Sequence, residues 1–226
     1  MTGSEALTEI TLAKAARKLA KRDQDLASIL EGLGPPPLWA RPPGFATLVQ
    51  IILEQQVSLA SAASMFERLQ ANVVPFRPLR MIDLGEGHLK SLGLTRQKTA
   101  YCLDLAQALT NRRLRLSRFG GMSDAEVRAA LMEIKGIGSW SADVYLLMVL
   151  RRPDILPETD LALITAVTKL KQLATRPTSN QLLEMAEAWR PFRSVAARML
   201  WQYYLAQRDE ARRRRQVVKP RAPTSI

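Results

Sequence analysis

One aspartate, Asp160, stands in the run Pro153-Asp-Ile-Leu-Pro157-Glu-Thr-Asp160-Leu-Ala-Leu-Ile, where a proline-framed loop gives way to a helical pattern. A carboxylate placed there faces the free N–H groups and the positive end of a helix, a position that favours an anion. It could stabilise a developing positive charge, or orient and deprotonate an attacking water. It could equally be an ordinary N-cap worth about 1 kcal/mol. Glu158 and Asp154 precede the helical restart and are weaker candidates for the same chemistry.

A second constellation lies twenty residues upstream, around Trp140: Leu131-Met-Glu-Ile-Lys135-Gly136-Ile137-Gly138-Ser139-Trp140-Ser-Ala142. Glycines accept positive φ and let another backbone or a ligand approach closely. Two of them around Ile137 would let a tight turn aim its N–H groups outward while Ile137 plugs the gap between two helices. A helix starting near Ser139 would point its own free N–H groups the same way, which makes a phosphate site needing no side-chain charge. Lys135 at the edge would add one. A bare Gly-x-Gly also reads as a helix C-cap with a spare glycine. The longer spacing Leu131-x-x-Ile134-x-Gly136-Ile137-Gly138-x-x-Ser141-Ala142 is far more specific.

The composition narrows the partners. The formal net charge of +12 points to a polyanion, most simply nucleic acid. Seven basic and two acidic residues fall between Arg208 and Ile226, so the rest of the chain still carries a charge of +7. With one cysteine (Cys102) and one histidine (His88), a disulfide, a zinc site or an iron–sulfur cluster is not expected. No apolar run approaches the roughly 18 residues of a membrane span, and the N-terminus lacks the pattern of a secretory signal. The cytoplasm is the expected compartment.

The elements that must carry these residues are helical. Period-3.6 patterns predict helices near 5–21, 23–32, 44–71, 78–84, 86–92, 95–110, 123–134, 139–150, 160–174, 178–188 and 191–208, and strand patterns are scarce. Ser123-Asp-Ala-Glu126 and Thr178-Ser-Asn-Gln181 read as capping boxes. The expectation is an all-α core over residues 1–207, followed by a basic, disordered tail over 208–226. The core would have two lobes, residues 45–155 with the hairpin and residues 1–44 with 156–207.

The hairpin pattern and the downstream Pro-rich loop with its aspartate together resemble the helix-hairpin-helix superfamily of DNA glycosylases. Pro36-Pro-Leu-Trp39, Gly44-Phe-Ala-Thr-Leu48, Ile52-Leu-Glu-Gln-Gln-Val-Ser58, Leu92-Gly-Leu-Thr-Arg-Gln-Lys98 and Trp189-Arg-Pro-Phe-Arg-Ser194 are most similar to its alkylation-repair branch, the 3-methyladenine DNA glycosylase II type. The resemblance runs from about residue 35 to 206. It implies a two-lobed helical glycosylase core, here without the additional N-terminal β domain of some members. It also implies hydrolysis of the N-glycosidic bond of alkylated bases in double-stranded DNA, with Asp160 catalytic. Lys135, Gly136, Ile137, Gly138 and Ser139 become the DNA-binding hairpin, whose carbonyls could hold a monovalent cation. No other cofactor is implied, and the protein is expected to act as a monomer.

Members that also cut the strand carry a lysine nucleophile where this chain has Trp140. An indole cannot form a Schiff base, so a monofunctional enzyme without lyase activity is expected. A cationic alkylated purine should be drawn to electron-rich rings. Trp140 and Trp201 are the leading wall residues for such a base pocket, with Tyr145 and Tyr203 behind them. Relatives fill the hole left by a flipped base with a wedge residue, and the Gln55-Gln56 pair makes Gln56 the wedge. Glu54 departs from the small residue usual at that place and would set a carboxylate beside the DNA path. Two alternatives stand beside this reading: a glycosylase for other damaged or mismatched bases, and a non-catalytic helix-hairpin-helix DNA-binding protein.

Overall fold

The structure, a computed structural model, describes residues 5–217. Among the described residues the chain is all-α, with no strand. The helices are α1 (Glu9–Ala20), α2 (Gln24–Leu33), α3 (Phe45–Glu54), α4 (Leu59–Asn72), α5 (Pro78–Ser91) and α6 (Arg96–Thr110). They continue with α7 (Asp124–Met132), α8 (Ser139–Met148), α9 (Leu161–Leu170), α10 (Ser179–Ala186) and α11 (Arg193–Val217). None of them is long and apolar enough to cross a membrane. The backbone divides into two compact units. One is Trp39–Pro157 with the segment that ends at Leu7; the other is Thr8–Leu38 with the chain from Glu158 onward.

In the first unit α3 is the central helix. Leu48, Val49, Ile51, Ile52 and Leu53 are all buried, and α3 packs against α4, α6 and α8. Each such side chain contributes roughly 1.5–3 kcal/mol by leaving water. The end of α8 leaves carbonyls unpaired, and an extended segment supplies a donor: the Arg41 N–H bonds Met148 O at 3.0 Å. Leu7 N–H likewise bonds Arg151 O at 2.8 Å just beyond that helix. These bonds tie residues 39–44 and the segment before Thr8 to this unit. The periodic pattern over 44–71 predicted one long helix. Instead the chain breaks between α3 and α4: Gln56 takes a left-handed φ of 56°, and Ser58 caps α4 by accepting from the Ser61 N–H. Period counting missed the break because apolar residues continue in phase on both sides of it. In α5 the expected interruption is present, with Gly85 at φ 74°.

In the second unit α11 packs on α1, α2 and α9. It buries Val195, Ala196, Ala197, Met199 and Leu200, together with the charged Arg198. Arg198 is held by backbone oxygens: Nε donates to Leu38 O at 2.9 Å and Nη1 to Ser194 O at 3.1 Å. Burial pushes its guanidinium pKa down to about 9. The helix does not end near 208, and residues 208–217 are not the disordered tail expected from their charge. No helix breaker intervenes before Pro220, and arginine, glutamate, alanine and glutamine are good helix formers. Glu210 and Arg214 form an i,i+4 ion pair there. Residues 218–226 of the expected tail lie outside the described residues.

Both predicted capping boxes are formed, at Ser123 and at Thr178. A third cap carries more charge. Asp23, the N-cap of α2, accepts from the Asp25 and Leu26 N–H groups, takes the Trp189 indole N–H at 2.8 Å and lies 3.6 Å from the Lys171 ammonium. Burial alone would raise its carboxyl pKa, but the Trp189 and backbone donors and Lys171 outweigh it and hold the group below its ordinary 3.8. A lowered native pKa gives stability that is complete above the unfolded value and is lost as pH falls through the native one. Thermal melting of the wild type should therefore fall more steeply from pH 5 to pH 3 than that of Asp23→Asn, which keeps the cap. Parallel curves would show that the cluster contributes no such linkage.

Candidate functional site

The turn between α7 and α8 is held from three directions. Asp104 of α6, itself paired with Arg113 at 2.7 Å, accepts the Lys135 N–H at 2.8 Å. Gly136, at φ 86°, lies flat on the Tyr101 ring, so closely that a Cβ there would meet ring carbons at 2.1 Å. Gln55 at the end of α3 donates its amide to Gly136 O and to Ser141 Oγ, both at 2.8 Å. Arg128 of α7 and the buried Asp143 of α8 clamp the two helices, with Nε–Oδ1 at 2.9 Å.

Not every hairpin N–H is available to a ligand. That of Ile137 is spent on Ile134 O at 3.0 Å, and that of Lys135 on Asp104. Among the described residues the N–H groups of Gly136, Gly138 and Ser139 have no acceptor, and the last two open α8. Ile137 itself is buried as the plug. The two glycines differ in kind: Gly138 has an ordinary φ of −95°, and a Cβ on it would meet nothing within 4 Å. Only Gly136 is required by the fold. The Lys135 side chain is exposed.

At the α3–α4 break, Gln56 is exposed in its left-handed conformation, beside the exposed apolar Val57 and Leu59. The carboxylate of Glu54 does not stand free beside it. Its side chain is 8% exposed and pairs with Arg41 at 2.9 Å, which cancels the charge the sequence placed there. One residue earlier, Leu53 O accepts from the buried ammonium of Lys98 at 2.5 Å. Desolvation holds the Lys98 pKa below its usual value.

In the second unit Asp160 is the N-cap of α9, its Oδ1 accepting the Leu163 N–H at 2.9 Å. The same oxygen takes the indole N–H of Trp201 at 3.1 Å. Asp160 is 8% exposed and Trp201 9%. One turn of α9 and one residue of α11 thus fix the carboxylate's orientation. The sequence pointed to both residues separately and gave no sign of their hydrogen bond, because 41 residues separate them.

The remaining aromatic candidates separate. Trp140, at the start of α8, is half-buried against the first unit's core. Tyr145 is wholly buried in that core, edge-on to Phe119 with ring centroids 5.8 Å apart. Burial raises its phenol pKa to about 12. It is a core residue with no surface to offer a base, contrary to its expected place in the pocket, because the inward face of α8 takes it. Tyr203 is half-exposed on α11. Gln55, Tyr101, Asp104 and Arg41 were missed, since polar residues on helices carry no signal of a partner far along the chain.

The hairpin, the capped aspartate and the helical fold define a class, and comparison with known proteins agrees. The chain belongs to the HhH-GPD superfamily of base excision DNA repair proteins, whose family model matches residues 49–191. It is 29% identical over 163 residues to YfjP of Bacillus subtilis, covering 68% of this chain and 56% of that one. To the DNA-3-methyladenine glycosylase of the same organism it is 28% identical over 122 residues, covering 54% of this chain and 40% of the relative. The chain therefore spans about half the length of these two curated relatives. Among solved structures, the 3-methyladenine DNA glycosylase Mag1 of Schizosaccharomyces pombe in complex with abasic DNA superposes with a TM-score of 0.78 at 25% identity. That match covers 84% of this chain and 95% of the other.

Proposed function

We propose that this chain is a monofunctional DNA glycosylase that hydrolyses the N-glycosidic bond of alkylated bases in duplex DNA, in the cytoplasm. The observation that carries the reading is the Asp160 carboxylate, capped onto α9 and oriented by the Trp201 indole, in a chain of the HhH-GPD family. A purine alkylated at N3 or N7 is already cationic. When the C1′–N bond breaks, the electron pair goes to the base, which leaves neutral and needs no acid. The sugar is left as an oxocarbenium-like cation, which Asp160 stabilises. Water adds at C1′, its proton passes to Asp160, and an abasic site remains.

The other residues supply grip and recognition. The free N–H groups of Gly136, Gly138 and Ser139 hold a phosphate, with Lys135 beside them. Trp140 and Trp201 offer ring surface to the cationic base. Gln56, exposed beside Val57 and Leu59, fills the gap that the flipped nucleotide leaves. The hairpin's neutral oxygens suit a monovalent cation better than a divalent one. Among them the carbonyls of Met132 and Ile137 accept no hydrogen bond from the described residues. Such an ion would steady the turn and add positive charge near the phosphate.

The test is release of free base from duplexes carrying 3-methyladenine, 7-methylguanine, 1-methyladenine, 3-methylcytosine or hypoxanthine, with borohydride present in a parallel reaction. Release without strand cutting and without a covalent enzyme–DNA adduct is the expected result, because Trp140 offers no amine. A trapped adduct would overturn the monofunctional assignment. DNA binding with no base released would favour a binding protein.

A further inference from the structure

The Gln55-Gln56 pair splits into two roles. We infer that Gln55 is a positioning residue that couples the phosphate-gripping hairpin to extrusion of the base; the inference rests on the glycosylase reading above. Three consecutive residues at the end of α3 are each fastened to a different part of the first unit. Lys98 of α6 holds Leu53 O at 2.5 Å, and Arg41 holds Glu54 at 2.9 Å. Gln55 holds Gly136 O and Ser141 Oγ, both at 2.8 Å. The next residue, Gln56, has no side-chain partner among the described residues and is turned outward by a left-handed φ of 56°. The chain is thus bolted up to Gln55 and released at Gln56.

Gln55 is the bolt that matters for coupling, because its partners are the hairpin itself. Both hydrogens of its amide are used, one on the turn carbonyl and one in the first turn of α8. A shift of the hairpin as it closes on a phosphate must therefore carry the base of the Gln56 loop with it. Conversely, loss of the two bonds would free that loop from the hairpin while leaving Gly138 and Ser139 able to bind phosphate. The expected defect lies in extruding a stacked, paired base rather than in holding DNA or in bond cleavage. Unpairing and unstacking are the steps that a wedge makes easier.

The test compares wild type, Gln55→Leu and Ser141→Ala on two duplexes carrying the methylated base that wild type releases fastest from the panel above. In one duplex the lesion is paired; in the other it faces an abasic-site analogue, so little unpairing remains. Gln55→Leu should lose about tenfold or more in kcat on the paired duplex with KM little changed. On the second duplex it should return to within about threefold of wild type. Ser141→Ala, which removes one of the two acceptors and leaves Gly136 untouched, should show a smaller loss with the same dependence on pairing. Equal loss on both duplexes, or no loss on either, overturns the coupling. If wild type releases no base from any duplex, the glycosylase reading fails and this inference with it.

Discussion

Asp160→Asn should abolish most base release, by about 10²–10³-fold in kcat, while duplex DNA binds as before. The substitution is a sharp test because it keeps the cap on α9. Asparagine is as good an N-cap as aspartate, and its carbonyl oxygen can still accept the Leu163 and Trp201 N–H groups now bound by Oδ1. What disappears is the negative charge that the proposed mechanism sets against the sugar cation, together with the ability to take a proton from water. A companion variant, Trp201→Phe, keeps an aromatic ring and removes one of the donors that orient the carboxylate. It should lose about tenfold in kcat, the cost of one ordinary hydrogen bond felt at the transition state. Melting curves with base-release rates check both. Full activity in Asp160→Asn would remove Asp160 from the site, whatever the class of the enzyme.

The second large effect separates the two hairpin glycines. Gly136→Ala must put a methyl group into the Tyr101 ring, 2.1 Å from its carbons, at a φ of 86° that L-residues rarely adopt. The turn has to shift, and with it the carbonyl that Gln55 holds. A fall in stability of about 2 kcal/mol or more is expected, together with DNA affinity reduced at least tenfold. Gly138→Ala meets open space at an ordinary backbone angle, so the protein should melt within a degree or two of wild type. Its affinity for duplex DNA should nevertheless drop about tenfold if the proposed phosphate site is right, because a methyl group would then fill the space through which the phosphate reaches the N–H groups at the start of α8. Titration of a fluorescent duplex with each variant reads both effects. Undiminished binding by a stable Gly138→Ala would move the phosphate site away from the hairpin.

The amino-acid sequence by itself determined a good deal. Helical periodicity set the all-α class. The caps at Ser123 and Thr178 were readable because a capping box is a bond between residues three apart. The hairpin pattern and the aspartate twenty residues past Trp140 were readable because each is compact and its residue types are restricted by chemistry. Only the tertiary structure decided matters that join distant residues. It broke the helix over 44–71 at Gln56, where the apolar phase gave no warning. It gave Glu54 a partner in Arg41, and it sent Tyr145 into the core while leaving Trp140 half-buried on the same helix. It also joined Asp160 to Trp201 and Gln55 to Gly136. The reason is physical: a hydrogen bond between side chains far apart along the chain leaves no periodicity, and which face of a helix turns inward is settled by what packs against it.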